Sequence, residues 1–168
     1  MAHSMTTPTE LAYFTVTGYW YDLEAPLASG STDELQFLVI SAFVTFTPRL
    51  PTGTTILISD LDLGDGNTGS TSLAIAPITA RIMNGQLSTI DTTDTPGIQL
   101  LANTTPISTY LTNQNINDGN LIYDISFTDV VYAETNQTLT NFAITAPTTT
   151  TTICITDPTQ PQLPYQTP

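Results

Sequence analysis

The side chains that could do chemistry in this chain are carboxylates and aromatics, because the other reactive types are almost missing. Its 168 residues hold 15 Asp and Glu against two cations, Arg49 and Arg81, with one histidine, His3, and one cysteine, Cys154. The segment Asp60-Leu61-Asp62-Leu63-Gly64-Asp65-Gly66-Asn67 offers the oxygen donors that Ca²⁺ takes. Its spacing is not that of an EF-hand loop: counted from Asp60, the sixth position is Asp65 where Gly is required, and the twelfth is Thr71 where a bidentate Glu is required. Asp60, Asp62, Asp65 and Asn67 therefore stand as an irregular calcium candidate beside the plainer reading, a solvated acidic turn. No other cofactor is expected.

Carboxylate pairs such as Asp91 with Asp94, or Asp60 with Asp62, are the residue types that flank a scissile glycosidic bond. Acids in turns, however, ordinarily satisfy backbone N–H groups. His3 lies ahead of the first strand pattern, which leaves no Ser-His-Asp or Cys-His constellation. Cys154, in Thr152-Ile153-Cys154-Ile155-Thr156, has no neighbouring cation to stabilise a thiolate and reads as a small, half-buried strand residue. Gly64, Gly66 and Gly69 match neither the P-loop nor the dinucleotide spacing. The reading is of a protein that is not an enzyme.

That leaves contact residues. Trp20, the only tryptophan, reads as a core or interface anchor, and Tyr19, Tyr21, Tyr132 and Tyr165 are interface candidates. The formal net charge of −13 and the absence of lysine exclude phosphate-neutralising nucleic-acid binding and disfavour an anionic membrane surface. No apolar run is long enough to span a bilayer, and no signal-peptide layout is present.

The elements that must position these residues read as strands. Hydrophobic residues make up 40 % of the chain but charged ones only 10 %, so Thr, Ser, Asn and Gln supply the polar surface, a composition suited to pleated sheet. The strongest local signal is Asn84-Gly85 between two alternating runs, where both residues can take the positive φ of a type I′ hairpin, pairing Ile82 with Leu87 and Ala80 with Thr89. Asp94-Thr95-Pro96-Gly97 reads as a second turn, returning the chain into a strand over residues 98–102. Residues 11–21 alternate as a first strand. Residues 22–34 read as an acidic loop, and 36–47 as a central strand covered on both faces.

Further strands are expected over residues 54–61, 121–128, 139–146 and 148–156. In 121–128, Leu121, Tyr123, Ile125 and Phe127 point inward, and Ile122, Asp124, Ser126 and Thr128 outward. Residues 105–120 read as an irregular connection with at most one helical turn at 108–111. The expected fold is an all-β antiparallel sandwich or flattened barrel of about eight to nine strands. It occupies residues 11–157, between an N-terminal arm, 1–10, and a Pro-rich arm, 158–168. With four prolines in eleven residues, that second arm is expected to be extended and free of strand pairing.

Several blocks in order carry a resemblance: Phe43-Val44-Thr45-Phe46-Thr47-Pro48; Pro77-Ile78-Thr79-Ala80-Arg81-Ile82 with Asn84-Gly85-Gln86-Leu87; Asp94-Thr95-Pro96-Gly97-Ile98-Gln99-Leu100-Leu101-Ala102-Asn103; Leu121-Ile122-Tyr123-Asp124-Ile125-Ser126-Phe127; Val130-Val131-Tyr132; Phe142-Ala143-Ile144-Thr145-Ala146-Pro147; and Leu163-Pro164-Tyr165. With them, over about residues 11–165, the chain resembles the minor tail proteins of actinobacteriophages, siphophages of mycobacteria and their relatives. The acidic segment 60–69 departs from that pattern.

The resemblance implies a structural component of a bacteriophage virion, placed on the tail or tail tip. It implies other virion proteins as partners, a homo-oligomeric arrangement and no catalytic residues. The alternatives are a carbohydrate- or receptor-binding module of the tail, with Tyr19, Tyr21 or Tyr132 stacking on a host surface glycan, or a head decoration protein. The second arm would then lie against an adjacent subunit, anchored by Tyr165.

Overall fold

The computed structural model describes residues 10–24, 36–62, 68–91, 96–132 and 139–167, with backbone alone for residues 23, 24, 36, 37, 60 and 62. In chain order the strands are β1 (Tyr13–Thr17), β2 (Tyr21–Glu24), β3 (Gln36–Val39), β4 (Ser41–Pro48), β5 (Ile56–Asp62), β6 (Thr68–Leu73), β7 (Ile78–Met83), β8 (Gln86–Ser88) and β9 (Ile98–Leu101). The helix α1 (Thr105–Asn113) and a 3-10 turn (Asn117–Gly119) precede β10 (Ile122–Val131), β11 (Phe142–Thr145), β12 (Thr152–Cys154) and β13 (Leu163–Pro164). The fold is all-β and sandwich-like, without a closed barrel.

A six-stranded sheet, ordered β13-β11-β10-β4-β7-β8, faces a three-stranded sheet, β12-β1-β9; β2-β3 and β5-β6 are separate two-stranded ribbons. Alternation builds the core between the two larger sheets, because every second side chain of a strand points the same way. Phe14 and Val16 of β1 and Leu100 of β9 meet Val44 and Phe46 of β4, Tyr123 and Ile125 of β10 and Ile144 of β11, all with almost no exposed surface. The rings of Phe14 and Tyr123 touch across the layers at 6.1 Å. The Tyr123 hydroxyl donates to the Leu101 carbonyl at 2.9 Å, which satisfies its one buried polar atom. Burial pushes that phenol far above its ordinary value.

The hairpin forms as its sequence dictates. Asn84 (φ 54°) and Gly85 (φ 76°) take the left-handed conformation, and Ile82 pairs with Leu87. The ladder stops one step short of the expected pair between Ala80 and Thr89, because Ser88 turns to bridge Pro96. A Cβ on Gly85 would collide with the Tyr21 ring, so this glycine serves both the turn and a close approach.

Five expectations need correction. The strand over 11–21 breaks at residues 18–20, where the Gly18 carbonyl accepts from Leu87 N and Trp20 N donates to the Gly85 carbonyl; the chain is captured by β8 before β2 begins. Asp22 therefore lies in a strand and is buried rather than in an open loop. The strand over 36–47 breaks at Ile40 and is covered on one face only: Ala42, Val44 and Phe46 are buried, whereas Phe43 is 43 % and Val39 49 % exposed. β1 and β12 pair in parallel, in register Thr15 with Thr152, which is possible because the whole domain, not a hairpin loop, connects them. These breaks contribute to the thirteen short strands found among the described residues, where eight or nine are expected.

Helix α1 is the fourth correction. It spans nine residues, starts with Pro106 in its first turn, and buries Ile107 and Leu111, one turn apart, against the core beside β5. The fifth is the C-terminal arm. Leu163 pairs with Ala143 and Pro164 with Phe142, so this segment forms an edge strand of its own domain. Proline is tolerated there because an edge strand has one side without ladder bonds.

Candidate functional site

Three sites arise on the six-stranded sheet. The first is polar. Arg49 follows β4 directly, its backbone N–H donating to the Ile122 carbonyl at 2.7 Å, and this aims its side chain along the neighbouring strand β10. There it meets Asp124 in a fork: Nη2 donates to Oδ1 at 2.7 Å and Nε to Oδ2 at 3.1 Å. The same Nη2 donates to the Pro164 carbonyl at 2.7 Å, and the Gln166 N–H donates to Asp124 Oδ1 at 3.0 Å. Asn117 Nδ2 donates to the Arg49 carbonyl at 2.8 Å.

Asp124, expected to point to solvent, is only 4 % exposed because the C-terminal segment covers it. The hydrogen bond to Asp124 raises the Arg49 pKa above its already high ordinary value, burial opposing it, so this cation is permanent. Both carboxylate oxygens are thus engaged by the guanidinium, and Oδ1 also by the Gln166 N–H. This cluster holds chain in place.

The second site is apolar and lies on the sheet's outer face. Phe43 stands opposite Arg81 on β7 and Thr128 on β10. The β10 register shifts between Thr128 and Val131, with Asp129 at φ 52°, and this bulge brings Val131 opposite Ser41. Val39, Phe43 and Val131, the last 61 % exposed, rim a groove of about 500 Å³ with Met83, Arg81 and Asp129 at its edges.

The third site contains Trp20, half-buried in an edge-on contact with Phe127 (5.9 Å between centroids), which in turn packs at 6.3 Å from Phe142. The sequence-predicted tyrosines are dispersed around these features. Tyr19 is 49 % exposed, bridges Gln86 and donates its N–H to Thr156 Oγ1; Tyr21 is 37 % exposed over Gly85. Tyr132, after β10, and Tyr165, after β13, are half-buried. Because Tyr19 and Tyr21 alternate with Trp20 along the chain, they do not share its side.

The calcium candidate lies outside the described residues in the side chains of Asp60 and Asp62 and in Asp65 and Asn67 entirely, as do His3 and Asp94. Among the described residues no three His, Cys, Asp or Glu side chains gather into a metal-binding group, and no helix is long and apolar enough to cross a membrane. Cys154 is half-buried as expected. Burial pushes its thiol up, but hydrogen bonds from Thr156, Thr17 and the Asp157 backbone outweigh that and leave its pKa below the ordinary value.

Sequence reading missed the Arg49–Asp124 fork and the exposure of Phe43. A signal for the first existed: one of only two cations, and an acid inside an otherwise apolar strand. Comparisons with protein-family models, with characterised proteins and with solved structures give no match.

Proposed function

We propose that the protein is a structural component of a bacteriophage virion, a minor tail protein built into the tail or tail tip beside copies of itself and other virion proteins. The observation that carries this reading is the open apolar face at Val39, Phe43 and Val131. Contiguous exposed apolar side chains on a sheet face mark contact surfaces, and a protein carrying a formal charge of −13 remains soluble until a partner covers such a face. The kind of partner is taken from the resemblance of the ordered sequence blocks to actinobacteriophage minor tail proteins. A subunit of this kind acts by position and needs a rigid sheet to present its contact face, which the Arg49–Asp124 fork and the paired C-terminal strand provide.

The test is localisation on purified particles of the phage that carries this sequence, by antibody labelling and electron microscopy. Label on the tail or its tip is the expected result. Label on the head would replace this reading with a decoration protein, and absence from the particle would end it.

A further inference from the structure

Beyond β12 the chain turns at Thr156 to Pro158 and passes the end of β10 and the start of β11, leaving a cleft of about 330 Å³. That size is at the lower end for small-molecule sites, roughly 300–1,000 Å³. Its apolar wall is the aromatic row Trp20, Phe127 and Phe142. Trp20 is fixed from behind, since its indole lies directly on Gly18, where a Cβ would collide with the ring. Its polar wall carries Thr140, Asp157 and Gln162.

Asp157 is held in place and ionised: Oδ1 accepts from the Thr159 N–H at 2.9 Å and from its hydroxyl at 2.8 Å, bonds that lower the carboxyl below its ordinary range. None of the described residues lining the cleft is a cation.

An aromatic row lining the same cleft as a carboxylate, an amide and a hydroxyl matches a molecule with one apolar face and a rim of hydroxyl groups. A pyranose has that shape, with axial C–H groups for the indole and equatorial hydroxyls that donate to a carboxylate and both donate to and accept from an amide. An anionic ligand is excluded by the fixed charge of Asp157 and by the lack of a lining cation. A quaternary ammonium needs ring faces spread around it, whereas these rings pack against one another. We propose that this cleft binds a neutral pyranose sugar, stacked on Trp20 and hydrogen-bonded through Asp157 and Gln162. This site does not depend on where the protein sits in a particle.

The chain reports on the cleft by itself, because Trp20 is its only tryptophan. Intrinsic fluorescence of the full-length protein is followed while the methyl pyranosides of glucose, galactose, mannose, arabinose and N-acetylglucosamine are added, with methyl glucuronide as the anionic probe. The expected result is a saturable change for at least one neutral glycoside, with a Kd on the order of 1 mM. Asp157→Asn and Gln162→Ala, both at exposed positions, should each weaken it by about tenfold, the effect of losing one hydrogen bond to a charged or planar partner. Circular dichroism of each variant separates lost binding from lost fold. Overturning results are no saturable change with any neutral glycoside, binding of the glucuronide alone, or unchanged affinity in both folded variants.

Discussion

The six-stranded sheet treats its polar end and its outer face in opposite ways. At the end, where β13 joins β11, the ion pair is tied into the chain: Arg49 holds Asp124, and both hold the backbone of the C-terminal segment at Pro164 and Gln166. On the outer face Phe43 and Val131 stand open, although nothing about their chemistry prefers water. A buried ion pair is stabilising only relative to its broken forms, because each unpaired charge left inside is costly. Exposed apolar residues are the reverse: removing them costs the isolated fold little, and what they could stabilise is a contact. The closed end is therefore read as serving the domain and the open face as serving a partner.

The largest effect should come from breaking the closed end. Asp124→Ala leaves a partly buried guanidinium without its carboxylate and frees the Gln166 N–H. Loss of the charged partner costs about 2 kcal/mol, read as a shift in the urea midpoint at unchanged slope. Hydrogen exchange at the Gln166 amide should accelerate in the same variant, since it loses its acceptor.

Deleting residues 163–168 comes next, with an expected loss of about 1–2 kcal/mol from the two-residue pairing and the two anchoring hydrogen bonds. An arm that served only a neighbouring subunit would leave the monomer's stability unchanged, so this truncation separates the two roles in a single denaturation curve.

Tyr123→Phe, inside the core that both regions share, should cost about 1 kcal/mol at neutral pH through the lost bond to Leu101. It also has a pH signature. The folded-state pKa of Tyr123 lies above the unfolded value of about 10, so its contribution is complete below that pH and is lost as pH rises toward and through the folded value. The variant's stability should therefore fall less steeply than the parent's on the alkaline side, measured by denaturation at stepped pH.

Smallest for stability is Phe43→Asp, expected below about 1 kcal/mol because the side chain is 43 % exposed and packs outside the core. Its consequence should appear only in association.

The same comparison explains what could be read from the sequence. The β7–β8 turn was legible because its code is local: Asn84 and Gly85 supply the positive φ, and the flanking alternation sets the pairing of Ile82 with Leu87. The core face of β10 was legible for the same reason of alternation. The Arg49–Asp124 fork was not, since 75 positions separate the partners and nothing near either residue encodes the other. β6, reading Thr-Gly-Ser-Thr-Ser-Leu, has no apolar period and is a strand because β5 offers it a ladder.

In α1, β-branched and polar residues masked the helix, while Ile107 and Leu111 one turn apart carried the signal that was there to use. On β4 an apolar residue on both faces has two physical origins, a second covering layer or a contact surface, and composition does not distinguish them. The aromatic and polar walls of the Trp20 cleft come from four separate stretches of chain, so no local pattern encodes them.

If the protein is the tail component proposed, its open face, not the C-terminal arm, makes the contact that retains it on a particle. This is tested most directly by complementing phage that lack this gene with Phe43→Asp protein and with parent protein, then measuring the protein retained on purified particles. The account predicts that the folded Phe43→Asp variant is lost from particles while the parent is retained on the tail. Retention of the variant at the parent's level would contradict it.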